Sequence, residues 1–133
     1  MEIRIYYEDT DCGGVVYYAN YLKYFERART DYLEQRGFSV AQLMKEGTVF
    51  MVVRAEVNYR SPAQLGDILT IETTVDTSKN ASVTFSHVFR ERDSGRIVVE
   101  GSATLVPTGL DGKIKRLDPG LKKALEAPAP GGR

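Results

Sequence analysis

Asn20-Tyr21-Leu22-Lys23-Tyr24-Phe25-Glu26-Arg27-Ala28-Arg29-Thr30-Asp31-Tyr32-Leu33-Glu34-Gln35-Arg36-Gly37 carries a single amphipathic helix. Tyr21, Phe25, Ala28 and Tyr32 recur at helical spacing, and Leu22 and Leu33 widen the stripe. Lys23, Glu26, Arg27, Thr30, Asp31 and Glu34 fill the opposite face. Such a helix lies with its apolar side against another layer. Asn20 has the chemistry of an N-cap and Gly37 that of the residue just past the C-cap. Ser39-Val40-Ala41-Gln42 matches a capping box, which predicts a second short helix to Lys45 that stops at Gly47.

On both sides of the helix the period changes to two. Ile3 to Tyr7 is short and rich in β-formers. Downstream, Val53, Ala55, Val57 and Tyr59 alternate with polar residues. The same holds for Leu69, Ile71, Thr73 and Val75, for Val83, Phe85, His87 and Phe89, and for Val99, Gly101, Ala103 and Leu105. Ser61-Pro62-Ala63, Gly66-Asp67, Ser78-Lys79-Asn80 and Arg92-Asp93-Ser94-Gly95 separate these runs, and Asp111-Gly112 marks a further turn. The order strand, helix, four strands with short connections predicts an antiparallel sheet of about five strands covered by one long helix, an α+β domain. The domain is expected over 1–120. A C-terminal tail over 121–133 is expected to be partly disordered, with its Pro/Gly-rich end from Ala127.

The 133 residues suffice for one core without a staple. Lys+Arg and Asp+Glu both number 18, a balance that argues against nucleic acid as the main partner. Cys12 is the only cysteine and His87 the only histidine, so no intrachain disulfide is expected and no metal. No apolar run is long enough to span a bilayer, and the N-terminus lacks a signal-peptide core. The cytoplasm is the expected compartment.

The chemistry concentrates in Asp9-Thr10-Asp11-Cys12-Gly13-Gly14-Val15-Val16-Tyr17-Tyr18-Ala19-Asn20-Tyr21. A carboxylate sits in a Gly-containing loop just before the main helix. The first-turn N–H groups of a helix are unpaired and partly positive. A carboxylate beside such donors is a minimal apparatus for acyl transfer. On physical grounds alone, an Asp in that position is more commonly a cap or turn residue.

The segment resembles the signature of the 4-hydroxybenzoyl-CoA thioesterase-like hotdog family. The continuation Leu22 to Thr30 resembles the branch linked to the Tol-Pal envelope system. Asn58-Tyr59-Arg60-Ser61-Pro62-Ala63 with Gly66-Asp67 is a second matching block. The resemblance implies a hotdog fold, a curved antiparallel sheet wrapped around the long helix, in a homodimer or homotetramer with its site between subunits. It implies an acyl-CoA thioesterase with Asp11 as catalytic nucleophile or general base and the Tyr18 backbone N–H holding the thioester oxygen. The Tol-Pal-linked branch carries His where this chain has Tyr18; the 4-hydroxybenzoyl-CoA enzyme resembles this chain there. Gly14, Val15 and Tyr17 are expected to contact substrate, and Arg60 and Lys79 to meet the CoA phosphates. The substrate would be acyl-CoA or an acyl carrier, with no cofactor beyond the coenzyme A it brings. Hotdog dehydratases need a His paired with an acid, and no His lies near this loop. A non-catalytic acyl-CoA or acyl-carrier binding module is the alternative.

His87 falls in register with Val83, Phe85 and Phe89 and is read as a packed core histidine. Cys12 neighbours Asp11, whose carboxylate disfavours a thiolate, and is read as a bystander.

Overall fold

The computed structural model describes residues 1–128. In chain order it has β1 (Glu2–Arg4), a 3-10 turn (Tyr7–Asp9), α1 (Asn20–Gln35), α2 (Val40–Lys45), β2 (Val49–Tyr59), β3 (Ile68–Ser78), β4 (Val83–Glu91), β5 (Ile97–Thr108) and α3 (Pro119–Glu126). The five strands form one curved antiparallel sheet in the order β1-β3-β4-β5-β2, and α1 packs across it. This is the α+β hotdog architecture that the alternating strands and single long helix predict.

The core follows the period-two faces. Leu69 and Ile71 of β3, Val83, Phe85 and Phe89 of β4, and Val99, Ala103 and Leu105 of β5 are buried against Phe25 and Ala28 of α1 or against α3. Burying a side chain as large as Phe25 contributes about 1.5–3 kcal/mol. The helix buries Tyr21, Phe25, Ala28, Tyr32 and Leu33 of the expected stripe, but Leu22 is 49% exposed. Tyr24 is buried in its place, with its ring 6.4 Å from that of Phe89 and 5.7 Å from that of Tyr21. Gly37, with φ +87°, closes α1 as expected, and Ser39 Oγ accepts the Gln42 N–H to cap α2. Asn20 is not the N-cap. Ala19 holds that position without a side-chain bond, and Asn20, already helical, sends its amide elsewhere.

The C-terminal boundary is corrected. Asp118 caps α3 by accepting the Leu121 N–H, with Pro119 in the first turn. Leu121 and Leu125 are buried in the core. The Tyr32 hydroxyl donates to Leu125 O at 2.7 Å, and the Arg36 guanidinium lies over the Tyr32 ring. Packed structure therefore runs past 120 to Glu126. The expected disorder of the tail falls mostly on residues 129–133, which lie outside the described residues.

His87 packs as read from its register. It is 1% exposed, its ring lies 4.7 Å from that of Phe25, and its Nδ1 pairs with Thr73 Oγ1 at 2.9 Å. Burial, then the nearby Arg29 charge, lowers its pKa to about 4 from 6.5. Below pH 6.5 the unfolded chain takes up a proton that the folded chain refuses until about pH 4. Stability is therefore expected to fall by up to about 3 kcal/mol across that window. Urea unfolding at pH 7 and pH 4 measures it. His87→Asn, though less stable at pH 7, should show a shallower loss; equal losses in both proteins would refute the assignment.

Candidate active site

The loop before α1 is built by its own backbone. Thr10 bridges Val16 in antiparallel fashion, the Asp11 N–H donates to Val15 O at 2.9 Å, and the Gly14 N–H donates to Asp11 O at 3.1 Å. Gly14 takes φ +78°, a conformation that favours glycine. The loop is then tied to the segment after β2. Val15 bridges Gln64, the Val16 N–H donates to Ala63 O at 2.8 Å, and the Leu65 N–H donates to Gly14 O at 3.1 Å.

Its two acids are used differently. The Asp9 carbonyl accepts the Tyr17 N–H at 3.1 Å and the Asn20 side-chain amide at 2.9 Å, and its carboxylate accepts the Tyr6 N–H at 2.8 Å. Asp9 also faces the buried Tyr24 hydroxyl. Burial first, and this carboxylate second, hold the Tyr24 pKa above its ordinary value. Asp9 is thus an anchor joining loop to helix, and the displaced Asn20 amide is part of it. Asp11 is exposed, and one carboxylate oxygen accepts only the Gly13 N–H at 2.8 Å. Among the described residues its other oxygen has no partner.

Tyr17 and Tyr18 follow the loop and are 47% and 61% exposed, with ring centroids 4.8 Å apart. The Tyr59 hydroxyl, at the end of β2, donates to Tyr18 O at 3.2 Å. This contact fixes the peptide ahead of α1, and nothing in the sequence signalled it. Among the described residues, the N–H groups of Tyr18 and Ala19 have no acceptor. Asp11, Gly14, Val15, Tyr17 and Tyr18 therefore gather at one end of the sheet. Cys12 is an exposed free thiol in the same turn.

The two expected phosphate contacts do not join them. Arg60 follows Tyr59 with its side chain directed away from the helix, paired to Glu100 at 3.1 Å. Lys79 lies in the β3–β4 hairpin, beside Ser78 and Val83. Val83 pairs with Leu105, and Leu105 with Val52, so this hairpin lies at the sheet end opposite Tyr59. A nine-residue β4 separates the two ends by roughly 27 Å at strand rise.

Sequence reasoning also missed a cavity of about 280 Å³ between the second half of α1, α2 and the sheet. Leu33, Phe50, Val52, Phe85 and Leu105 give it apolar walls, and Glu26, Arg29 and Thr30 supply the polar side. Arg29 follows Phe25 by four residues on the flank of the stripe, a cue that its position offered.

An antiparallel sheet wrapped on one long helix defines a hotdog domain. Residues 6–125 match the thioesterase-like superfamily, and the chain belongs to it. The acyl-CoA thioesterase YbgC of Haemophilus influenzae is 46% identical over 115 residues, covering 85% of this chain and 82% of that protein. The acyl-CoA thioester hydrolase YbgC of Escherichia coli O6:H1 is 45% identical over 84 residues; the match spans 63% of each chain, less than two thirds of that relative. Among solved structures, a DHNA-CoA thioesterase from Staphylococcus aureus is 30% identical with a TM-score of 0.89, covering 93% of this chain and 85% of its own. Among the described residues no helix is long and apolar enough to cross a membrane.

Proposed function

We propose that this protein hydrolyses acyl-CoA thioesters to a free carboxylic acid and CoA. Asp11 attacks the thioester carbonyl as nucleophile or activates water as general base, and the Tyr18 N–H binds the carbonyl oxygen as it gains charge. The observation that carries this reading is the division of labour in the loop: Asp9 is consumed by structure, whereas Asp11 keeps a free carboxylate oxygen in the same segment that leads to the unpaired N–H groups of Tyr18 and Ala19. The relatives' names support the same reaction. The proposal asks for no metal or redox cofactor. A lone free Cys12 and a CoA substrate fit a cytoplasmic setting. Hydrolysis of an acyl-CoA panel, followed by released thiol, is the test. Tight binding without turnover across short, long and aromatic acyl groups would instead favour a binding module.

A second copy completes the site in this proposal. β2 is an 11-residue edge strand with a free side, and Met51, Val52 and Val53 are 46%, 46% and 54% exposed. Such an edge is a template for another strand. Antiparallel self-pairing centred on Arg54 would set Tyr59 opposite Val49 of the second copy. The Asp11 loop, held beside Tyr59, would then face the other copy's cavity, whose wall includes Val49, Phe50 and Val52. The cavity becomes the acyl pocket, and Arg60 and Lys79 would serve CoA only from the rim of that assembly. Val53→Lys, which adds charge beside the two Arg54 side chains that this pairing already sets opposite each other, is expected to give a folded monomer by light scattering with hydrolysis reduced at least about tenfold. A fully active monomer would refute the shared site.

A further inference from the structure

Resting on the reading just given, we infer that Arg29 selects acyl groups whose far end carries a carboxylate or another strong oxygen acceptor. Apart from Glu26, Thr30 and Thr48 the cavity walls are apolar, and Arg29 is the one cationic lining residue. Its side chain is half-buried, and among the described residues it forms no ion pair or side-chain hydrogen bond. Glu26, the one anionic lining residue, is exposed; it accepts the Thr30 hydroxyl at 3.2 Å and, among the described residues, forms no ion pair with Arg29. Arg29 lines the cavity, and its charge contributes to lowering the pKa of the buried His87. Burial lowers the pKa of Arg29 itself, and Glu26 offsets this only in part.

A guanidinium has five N–H donors and stays charged, and a carboxylate satisfies two of them at once. Left unmatched in an apolar cavity it is costly, so a ligand that supplies the acceptor gains over one that does not. The size is consistent. About 280 Å³ is roughly twice the ~150 Å³ cavity that holds a benzene ring. A short dicarboxylic chain or one substituted ring fits, and a long fatty chain does not.

The test compares kcat/KM for glutaryl-CoA and pentanoyl-CoA, equal in chain length and differing in the terminal carboxylate. The parent protein is expected to favour glutaryl-CoA. Arg29→Met, which keeps the length of the side chain but not its charge, should lower that preference about 10–100-fold. Arg29→Lys, which retains charge without the fork, should lie between. A parent that hydrolyses pentanoyl-CoA at least as well as glutaryl-CoA overturns the inference while leaving the thioesterase reading intact. Hydrolysis of no acyl-CoA at all would instead overturn the thioesterase reading. If Arg29→Met fails to fold, Arg29→Gln and the parent's own ratio decide the question.

Discussion

Asp11→Asn is expected to lower kcat for acyl-CoA hydrolysis by about 10²–10⁴-fold, with KM little changed. Asn is isosteric with Asp, and its side-chain oxygen can still accept the Gly13 N–H that shapes the turn. The loop's other ties, from Val15 O, Ala63 O and Leu65 N, are backbone bonds that the substitution does not touch. Asp11 is exposed, so stability should shift by no more than about 0.5 kcal/mol. What disappears is the negative oxygen that, in the proposed mechanism, attacks a carbonyl or removes a proton from water. The contrast with Asp9 sharpens the test. Asp9→Asn keeps an acceptor for the Tyr6 N–H and leaves its carbonyl bonds to Tyr17 and Asn20 in place. It should therefore stay close to parental activity. Steady-state kinetics on both variants, with thermal melts alongside, separates chemistry from folding. Parental kcat in a folded Asp11→Asn protein would remove Asp11 from the mechanism.

The parts legible in the sequence are those where burial follows a local period. Phe85, His87 and Phe89 alternate cleanly, and β4 is a central strand with one face on the core. Tyr21, Phe25, Ala28 and Tyr32 fix the helix, but its flanks do not declare themselves. Leu22 and Tyr24 sit on opposite sides of the stripe, and only tertiary contacts, such as that of Tyr24 with Phe89 of β4, decide that Tyr24 is covered. The last helix escaped notice although Asp118-Pro119 is a start signal, because its eight residues offer just two apolar positions, Leu121 and Leu125, to the core. Asn20 illustrates a different limit. Its type suits a cap, yet an acceptor eleven residues upstream competed for its amide. The family resemblance singles out Asp11 as catalytic, whereas physics alone favours a turn residue. The structure supports that reading as well, since the Gly13 bond is a turn contact. The cavity was not legible, because Phe50, Phe85 and Leu33 come from three elements whose meeting is a tertiary event.

Gly101→Ala is expected to cost about 3 kcal/mol or more, at the upper end of overpacking effects. A Cβ at this position would lie 2.4 Å from Glu56 O and 2.4 Å from Phe25 Cζ. Neither neighbour can yield cheaply. Glu56 belongs to the β2–β5 ladder, where Val57 pairs with Gly101 itself. Phe25 is fully buried, with its ring 4.7 Å from that of His87 and 5.5 Å from that of Phe89. The gain of about 0.4–1 kcal/mol from a less flexible unfolded chain is too small to compensate. The midpoint of urea unfolding should fall sharply, and parental stability would mean that the close approach of α1 to β5 does not exist. Phe25→Leu in the same chain should recover only part of the loss, since it relieves the ring contact and leaves the carbonyl contact. The displacement also reaches the chemistry. Phe25 lies fewer than two turns from the start of α1, and the Tyr18 N–H directly precedes that start. In the proposed mechanism, moving the helix off the sheet moves that donor relative to Asp11, and a misplacement of about 1 Å can lower a rate about 10²-fold. Gly101→Ala protein that remains folded at low temperature should therefore show reduced kcat, although residue 101 touches no substrate.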